Sequence, residues 1–351
     1  MIPIIDNILG RFSQDLAVDL GTANTLIHVG GKGIVIREPS IIAIHKKTKK
    51  VIAIGQDAKK MIGKTPAGIE IVKPLKDGVI ADFDMTYAML SHFVKKANMR
   101  PGQKFSISRP RMVMGVPSAV SEVERRALID VAFACGAKEA YLVEEPMAAV
   151  IGANLAVLEP VGSMIVDIGG GTTEIAAVSL GGVVVGRSLK LGGDVMDRDI
   201  IGYIRTRHSL AIGEGSAERL KILLGSAYPA QIEKEMIIRG RDLEKGLPKS
   251  IKVSSVQIRE ALLETVNTIV AAIKDTIEDT PPELSSDIAE RGIVLCGGGA
   301  LLLGLPKLIS RETKMPVAVA DEPLSAVVLG CAALCEDRQL LERVTISQGR
   351  T

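Results

Sequence analysis

Two short segments of this chain combine an Asp with a turn rich in Gly and Thr, a pattern that can bind phosphate and a metal ion. The first is Asp19-Leu20-Gly21-Thr22, and the second is Asp167-Ile168-Gly169-Gly170-Gly171-Thr172. Each lies between two apolar runs, which predicts a β-hairpin with the glycines in its turn. Glycine lets backbone N–H groups approach phosphate oxygens, and the Asp can hold Mg²⁺ through water. Two such hairpins suggest two related domains that face each other across one nucleotide.

Two further segments could serve the same chemistry. Gly297-Gly298-Gly299 follows an apolar strand and would bring backbone N–H groups close to a ligand. Glu144-Glu145-Pro146 follows the predicted strand at 141–143, and a carboxylate there can position or deprotonate a water molecule. Each segment alone also fits an ordinary turn or helix start. All four segments together favour a phosphate-binding functional site over coincidence.

The elements that must position these residues alternate between strands and helices along the chain. This alternation is typical of an α/β protein. Strands are predicted within 15–55 and at 111–116, 141–143, 183–191, 236–240, 249–253, 292–296 and 316–319. Helices are predicted at 84–96, 121–135, 147–155, 195–207, 217–225, 255–279, 300–309 and 324–336.

Composition narrows the class of protein. A chain of 351 residues with 47% apolar residues can form two or more globular domains. Aromatic residues make up only 3%, Trp is absent and the net charge is +2, which argues against a nucleic-acid partner. The four cysteines lack metal-site spacing, so we expect buried thiols in a reducing compartment. We expect neither a signal peptide nor a transmembrane helix, because no apolar run is long enough.

Residues 1–14 precede the first predicted strand and have an amphipathic pattern. On a helix, five large apolar side chains would share one face: Ile4, Ile5, Ile8, Leu9 and Phe12. This segment could pack on its own domain or lie in a membrane interface. One such segment would bind a membrane weakly, whereas several copies acting together would bind much better.

The order of the four glycine and glutamate segments resembles the superfamily of actin, sugar-kinase and heat-shock-chaperone ATPases. Longer strings are similar to the MreB family of bacterial actins, and the similarity runs from about residue 15 to 340. The strings that carry it lie at 19–27 (DLGTANTLI), 62–66 (IGKTP), 77–82 (DGVIAD), 144–149 (EEPMAA), 281–284 (PPEL) and 286–292 (SDIAERG).

This resemblance implies an actin-like ATPase fold. Two duplicated α/β domains with ribonuclease-H-like cores would each carry a smaller inserted subdomain, with the nucleotide in the cleft. Domain I would comprise 15–150 and about 315–345, with subdomain IB inserted at about 35–78. Domain II would comprise 151–314, with subdomain IIB inserted at about 192–252, and residues 1–14 would form the amphipathic tail.

The resemblance also implies roles for individual residues around ATP and Mg²⁺. Asp19 and Asp167 would hold Mg²⁺ through water, and Glu145 would position the attacking water with help from Thr172. The phosphates would contact Gly21, Thr22, Ala23 and Asn24 from one side and Gly169, Gly170, Gly171 and Thr172 from the other. The nucleoside would contact Glu218, Arg219, Leu220 and Lys221, and the pocket would close with Gly297, Gly298, Gly299 and Ala300.

In function, the resemblance implies a cytoplasmic, filament-forming protein on the inner face of the cell membrane. Its ATPase would be weak, because such proteins use ATP hydrolysis to time the state of a filament. Its expected partners are copies of itself in paired or antiparallel protofilaments, the membrane, and membrane-embedded proteins of cell shape and wall synthesis. Residues Ile4, Ile5, Ile8, Leu9 and Phe12 would contact the membrane, and Phe105 and Ile107 form a second candidate contact.

Other members of the superfamily provide the alternatives. A small-molecule kinase would need a further general base for its acceptor hydroxyl, and we identify no additional Asp motif in that role. A chaperone ATPase would need an appended peptide-binding domain. A plasmid-segregation actin would lack the membrane tail and bind a DNA adaptor.

Overall fold

The computed structural model describes residues 15–98 and 109–350. The described chain divides into two compact units. The first unit contains the residues up to Glu159, Leu180–Val183 and the residues from Ser325 onward, and the second contains Pro160–Ser179 and Val184–Leu324. The apolar tail residues Ile4, Ile5, Ile8, Leu9 and Phe12, and the loop residues Phe105 and Ile107, lie outside the described residues.

The strands are numbered in chain order. They are β1 (Leu16–Leu20), β2 (Asn24–Val29), β3 (Gly33–Pro39), β4 (Ile42–His45), β5 (Val51–Ile54), β6 (Ile69–Val72), β7 (Leu75–Lys76), β8 (Val79–Ile80), β9 (Arg111–Val116), β10 (Glu139–Glu144), β11 (Ser163–Ile168), β12 (Thr173–Ser179), β13 (Gly182–Leu189), β14 (Leu210–Ala211), β15 (Glu235–Asp242), β16 (Pro248–Ser254), β17 (Ile293–Cys296), β18 (Val317–Val319) and β19 (Thr345–Arg350).

The helices are numbered in the same way. They are α1 (Gln56–Lys59), α2 (Phe83–Asn98), α3 (Glu122–Ala134), α4 (Glu145–Gly152), α5 (Gly193–His208), α6 (Glu214–Leu224), α7 (Ser255–Asp279), α8 (Pro282–Arg291), α9 (Leu305–Thr313), α10 (Ala326–Glu336) and α11 (Arg338–Val344). A short 3-10 helix covers Gly298–Leu301.

The main sheet of the first unit has the strand order β19-β10-β9-β1-β2-β3. Strands β1, β2 and β3 form an antiparallel meander, whereas β9 pairs parallel to β1 and β10 pairs parallel to β9. The central strands β1 and β9 are mostly apolar and buried, as expected where both faces of a sheet are covered. Its core includes fully buried Leu16, Ile27, Met112 and Leu142.

The main sheet of the second unit repeats this arrangement with the order β13-β12-β11-β17-β18. Its hairpin β11–β12 is antiparallel, β17 pairs parallel to β11, and β18 pairs parallel to β17. If the strands of each main sheet are counted in chain order, they lie in the order third, second, first, fourth and fifth in both units. In the first unit, β19 adds a sixth strand next to the fifth. The repeat confirms the expected duplicated α/β fold and places the two Asp-Gly hairpins at equivalent positions.

Smaller sheets accompany each main sheet. The first unit contains the sheet β5-β4-β6 and the hairpin β7–β8, and the second contains the sheet β14-β15-β16. The small sheet of the first unit has its own apolar cluster, which includes Ile41, Ala43 and Ala58.

Helix α7 has the predicted bounds, and local chemistry explains both ends. The Ser254 side chain accepts a hydrogen bond from the Gln257 backbone, and the Gln257 side chain accepts one from the Ser254 backbone. This reciprocal pair satisfies N–H groups that the first helical turn leaves without partners. Pro281 follows the C-terminal end, where a proline cannot continue the helix.

The predicted helix 300–309 is wrong in detail, because residues 302–304 interrupt it. Leu303 forms a bridge with Ser226, and the Ala227 N–H donates to the Leu303 carbonyl at 2.7 Å. Gly304 then adopts a left-handed conformation with φ of 75° before α9 begins. A tertiary contact therefore overrides the local helical preference.

Across the described ranges, no helix combines the length and the apolar character that crossing a membrane requires. Within these same ranges, no group of three or more His, Cys, Asp or Glu side chains is arranged to ligate a metal directly. Cys296 and Cys331 are buried, whereas Cys135 and Cys335 are half-buried.

Candidate functional site

The first phosphate-type turn joins β1 to β2 and lies at the end of the strand that carries Asp19. A Cβ atom on Gly21 would lie 2.8 Å from the Asn24 carbonyl oxygen, so the turn can close only with glycine at this position. Ser40 fixes the turn from outside, because its hydroxyl donates to the Gly21 carbonyl at 2.6 Å. The Ser40 N–H donates to the Ala23 carbonyl at 3.0 Å. These bonds hold the turn in one shape before any ligand binds.

The side chains of this turn face different surroundings. The Thr22 hydroxyl is buried and accepts a hydrogen bond from the Gly78 backbone at 2.9 Å. Asn24 is exposed, and Gly21 and Ala23 are half-buried. Thr22 therefore ties the turn to the β7–β8 hairpin, and the backbone and Asn24 are the groups most open to a ligand.

Glu145 begins α4 and lies beside the end of β9. In the sheet register, Gly115 of β9 is the neighbour of Asp19 on one side and of Val143 on the other. A Cβ atom on Gly115 would lie 3.6 Å from the Glu145 Cγ atom and 2.6 Å from Val327. A side chain at Gly115 would therefore collide with Val327 of α10, whereas Glu145 lies at an ordinary contact distance. Glu145 itself is only 9% exposed.

Burial also affects the pKa of Glu144, the residue before Glu145. Desolvation raises the pKa of Glu144, and the positive charge of Arg125 opposes this rise. Cys331 is fully buried in the same unit. Its pKa is raised well above the usual value by desolvation, by the neighbouring thiol of Cys335, and by the carboxylates of Asp19 and Glu145. Asp19 and Glu145 are thus close enough to act electrostatically on one buried thiol.

The second hairpin differs from the first because it contains a pair of buried acids. Asp167 of β11 lies directly opposite Glu174 of β12, so both side chains are on one face of the hairpin. Desolvation and the charge of Glu174 raise the pKa of Asp167 to about 7, and a hydrogen bond from Cys296 opposes this rise. The Ser188 hydroxyl donates to Glu174 at 2.5 Å. In the first hairpin, the residue opposite Asp19 is Leu26.

The triple glycine segment packs against this acid. Gly297 has φ of 76°, and a Cβ atom there would collide with the Asp167 carboxylate and the Ile168 carbonyl. A Cβ atom on Gly299 would lie 2.7 Å from the Ile168 Cβ atom. Within the second unit, the structure therefore brings Asp167 and Gly297–Gly299 together, while Ala300 is buried in the core.

The turn of the second hairpin is closed by its own backbone and by the start of α5. Gly169 N–H donates to the Thr172 carbonyl at 2.8 Å. The N–H groups of Gly193 and Asp194 donate to the carbonyls of Gly169 and Gly170 at 3.0 and 2.8 Å. These bonds satisfy two N–H groups of the first turn of α5, which have no partner within the helix.

The predicted nucleoside segment lies on α6, and its four side chains have different environments. Glu218 and Lys221 are half-buried and share one helix face, because they are three residues apart. Arg219 is exposed, and Leu220 is fully buried in the core of the second unit. Burial in the core therefore argues against a nucleoside contact by Leu220 only, and Glu218, Arg219 and Lys221 remain candidates for a polar contact.

The acids fit the expected Mg²⁺ ion in chemical type. Carboxylate oxygen is a preferred magnesium ligand, and Mg²⁺ often retains several waters. Asp167 and Glu174 form a buried pair of acids, so a nearby cation would offset the cost of ionising both.

Comparison with known proteins assigns the family. The family model described as MreB/Mbl protein matches residues 13–343. This chain is a member of the MreB/Mbl family. It is 46% identical over 336 residues to the cell shape-determining protein Mbl of Bacillus subtilis strain 168, covering 96% of this chain and 100% of that protein. It is 50% identical over 325 residues to the cell shape-determining protein MreB of Escherichia coli strain K12, covering 92% and 93%.

Solved structures confirm the actin-like fold of this MreB/Mbl chain. MreB5 of Spiroplasma citri bound to ADP aligns with a TM-score of 0.88 and 38% identity, covering 95% of this chain and 98% of that chain. The same protein bound to AMPPNP also aligns with a TM-score of 0.88, at 39% identity, covering 93% and 97%. The MamK double helical filament shares the fold at 23% identity and a TM-score of 0.77, covering 93% and 99%.

The structure also identifies site residues that sequence reasoning missed. Gly115 and Ser40 depend on the pairing of distant segments, so no local pattern identifies them. Glu174 could have been found, because Asp167 and Glu174 are equally far from the centre of the predicted turn. Residues at such positions face each other in an antiparallel hairpin.

Proposed function

We propose that this chain is an ATP-binding, membrane-associated cytoskeletal protein that polymerises into filaments and directs cell-wall synthesis and rod-shape maintenance. Its hydrolysis of ATP is slow and controls the state of the filament. The protein acts in the cytoplasm, at the inner face of the cell membrane. Membrane-embedded proteins of shape and wall synthesis are its proposed partners.

The repeated hairpin is the observation that carries this proposal. Both units place an Asp at the penultimate position of the first strand of the hairpin, two residues before the first glycine of a turn with constrained backbone. Membership of the MreB/Mbl family and the ADP-bound and AMPPNP-bound relative support a nucleotide as the ligand.

We assign the phosphate contacts to the two turns and the nucleoside contacts to the second unit. Gly21, Thr22, Ala23 and Asn24 would act on one side of the phosphates and Gly169, Gly170, Gly171 and Thr172 on the other. Glu218, Arg219 and Lys221 would contact the nucleoside, and Gly297, Gly298 and Gly299 would close its pocket. Backbone N–H groups suit this role because phosphate oxygens accept several hydrogen bonds at once.

Glu145 would orient the attacking water, and Thr172 would assist. Phosphoryl transfer depends mainly on positioning and on electrostatic stabilisation. The burial of Glu145 beside Gly115 supports this role, because a carboxylate with little freedom can hold water in a fixed direction. Asp19 and Asp167 would hold Mg²⁺ through water, and the ion would offset negative charge on the phosphates.

Membrane contact is proposed from the sequence of the N-terminal tail. Ile4, Ile5, Ile8, Leu9 and Phe12 would enter the membrane interface, and the many copies in a filament would add their weak affinities. Phe105 and Ile107 remain a second proposed contact. The polar Ser106 between them makes this loop a less continuous apolar surface.

Electron microscopy of the purified chain on lipid vesicles tests the proposal. Samples with Mg-ATP should show paired filaments lying on the vesicles, and samples without nucleotide should not. Phosphate release measured in the same samples should be slow and should increase with polymer. Dispersed particles under all lipid and salt conditions would contradict the cytoskeletal function, and ATP turnover accelerated by a small hydroxylated compound would favour a kinase.

A further inference from the structure

Lys221 makes two contacts that tie α6 to the beginning of α5. Its Nζ atom donates to the Gly193 carbonyl at 2.7 Å and forms an ion pair with Asp197 at 2.9 Å. The Lys221 and Asp197 side chains are only 17% and 14% exposed. Their shielding from water favours a fixed geometry over the changing contacts of a surface ion pair.

The first turn of α5 in turn holds the second phosphate hairpin. Gly193, whose carbonyl accepts from Lys221, donates its own N–H to Gly169, and Asp194 donates to Gly170. A Cβ atom on Gly192 would lie 2.7 Å from both the Gly169 and Gly170 carbonyl oxygens. The start of α5 and the hairpin turn are therefore in backbone contact, and one cannot shift without the other.

The charges around this link are also balanced by Lys221. Desolvation raises the pKa of Asp197, Lys221 opposes the rise, and the acids Glu218 and Asp194 add to it. Without the ammonium group, the half-buried Asp197 near the start of α5 would be close to Asp194 and Glu218 with no positive charge beside it. Loss of Lys221 would thus remove a hydrogen bond to Gly193 and leave Asp197 without its counter-charge.

We infer that Lys221 is a positioning residue for the second phosphate hairpin, acting through Gly193 and the first turn of α5, and that Asp197 fixes the ammonium group for this task. The inference rests on the proposed ATPase function and adds to the nucleoside contact proposed for Lys221. It predicts that the Lys221–Asp197 pair controls the chemical step as well as nucleotide affinity.

Steady-state ATP hydrolysis by the full chain, with kcat and KM measured separately, tests this inference. Lys221→Met and Asp197→Asn should each lower kcat about 10- to 100-fold, because small displacements of positioning groups have effects of this size. Lys221→Arg should restore most of the loss, since a guanidinium can still pair with Asp197 and donate to Gly193. Asp197→Asn is the sharper variant, because it keeps both the volume of the side chain and Lys221 itself.

A role confined to nucleoside binding gives a different pattern. Lys221→Met would then raise KM and leave kcat unchanged, and Asp197→Asn would change neither. Either result in a folded variant overturns the inference. Arg207→Met is the matched control: it removes an ion pair with Glu260 from the far, exposed end of α5, so both constants should stay within about twofold.

Thermal melting monitored by circular dichroism separates misfolding from mispositioning. If Lys221→Met does not fold, Asp197→Asn and Lys221→Arg decide the question. If the wild-type chain releases no phosphate from ATP, the proposed ATPase function fails and this inference fails with it. If the wild-type chain hydrolyses ATP and kcat of Asp197→Asn equals that of the wild type, only the inference fails.

Discussion

Replacement of Gly330 by Ala should separate two helices that are in backbone contact and thereby displace Glu145. Gly330 lies in α10, and a Cβ atom there would lie 2.6 Å from the Ala148 carbonyl carbon in α4, and closer still to its oxygen. Gly152 of α4 has the converse contact, because its Cβ atom would lie 2.7 Å from the Gly330 nitrogen. Neither position can accept a methyl group unless the helices move apart.

The magnitude follows from two opposing effects. Alanine favours a helix over glycine by about 1 kcal/mol, but a methyl group forced into a closely packed contact costs about 1–3 kcal/mol or more. The contact here is with backbone, which cannot rotate away as a side chain can. We therefore expect the free energy of unfolding to fall by about 2 kcal/mol, which lowers the melting temperature by about 4–8 °C in a unit of this size.

Function should suffer as well, because Glu145 is the first residue of α4. A shift of α4 by roughly 1 Å would misplace a carboxylate that orients water, and such shifts can cost about 100-fold in rate. Thermal melting and phosphate release at saturating ATP measure the two effects. Gly202→Ala is the matched control, because Gly202 lies within α5 and its Cβ atom would meet no atom within 4 Å.

The control should melt at the wild-type temperature or slightly above it, since it has the helical advantage of alanine without the collision. If Gly330→Ala melts as high as Gly202→Ala, the backbone contact between α4 and α10 is not a constraint. If Gly330→Ala melts lower but hydrolyses ATP at the wild-type rate, the contact does not position Glu145.

Four other changes test separate parts of the structure. Glu145→Ala should preserve ATP binding and slow phosphate release about 100-fold or more. Weaker ATP binding with unchanged turnover per bound nucleotide would contradict its role, and Glu144→Gln is the neighbouring control. Gly297→Ala should lower the melting temperature by about 4–8 °C, because its Cβ atom would collide with Asp167. Gly298→Ala is the control, since its Cβ atom would meet only Leu324, at 3.6 Å. Equal melting temperatures of the two variants would refute this explanation. Desolvation raises the pKa of Cys135 and Cys335 to about 12. Both thiols should therefore react with iodoacetamide at pH 8 about 10³-fold more slowly than an ordinary thiol, and faster as the pH rises. The unfolded chain gives the reference rate, and rapid modification of the folded chain would argue against the burial of these thiols. Deletion of residues 1–12 should reduce co-sedimentation with liposomes and leave ATP binding unchanged; unchanged sedimentation would move the membrane contact to the loop with Phe105 and Ile107 or remove it.

Elements with strong local signals could be predicted from the sequence. Helix α7 has the predicted bounds because Ser254 and Gln257 cap its start and prolines follow its end. The hairpin turns were also recognisable, because the glycines and the flanking apolar runs lie in consecutive positions. In these cases, the residues that determine the structure are neighbours in the chain.

Elements that depend on distant partners could not be predicted in this way. Strand β19 has the polar sequence TISQGR and exists because it pairs with β10, with Tyr141 opposite Gln348. The sequence analysis predicts neither α8 nor α11. Pro281 and Pro282 stand at the start of α8, and prolines are equally typical of the end of a preceding helix. In the site, the link from Lys221 to Asp197 and Gly193 requires the packing of α6 on α5. The proposed ligand contacts of the individual site residues stay predictions.

The position of β19 has a consequence for synthesis of the chain on the ribosome. Strand β10 is covered on one edge by β9 and on the other by β19, so its second edge stays open until β19 has been made. The second unit, at Pro160–Ser179 and Val184–Leu324, is translated almost entirely between these two strands. At about 5–20 residues per second, this interval lasts roughly ten seconds or more. A nascent chain thus exposes an apolar strand edge for that time, and chaperones that bind such edges would have their main opportunity before β19 is made.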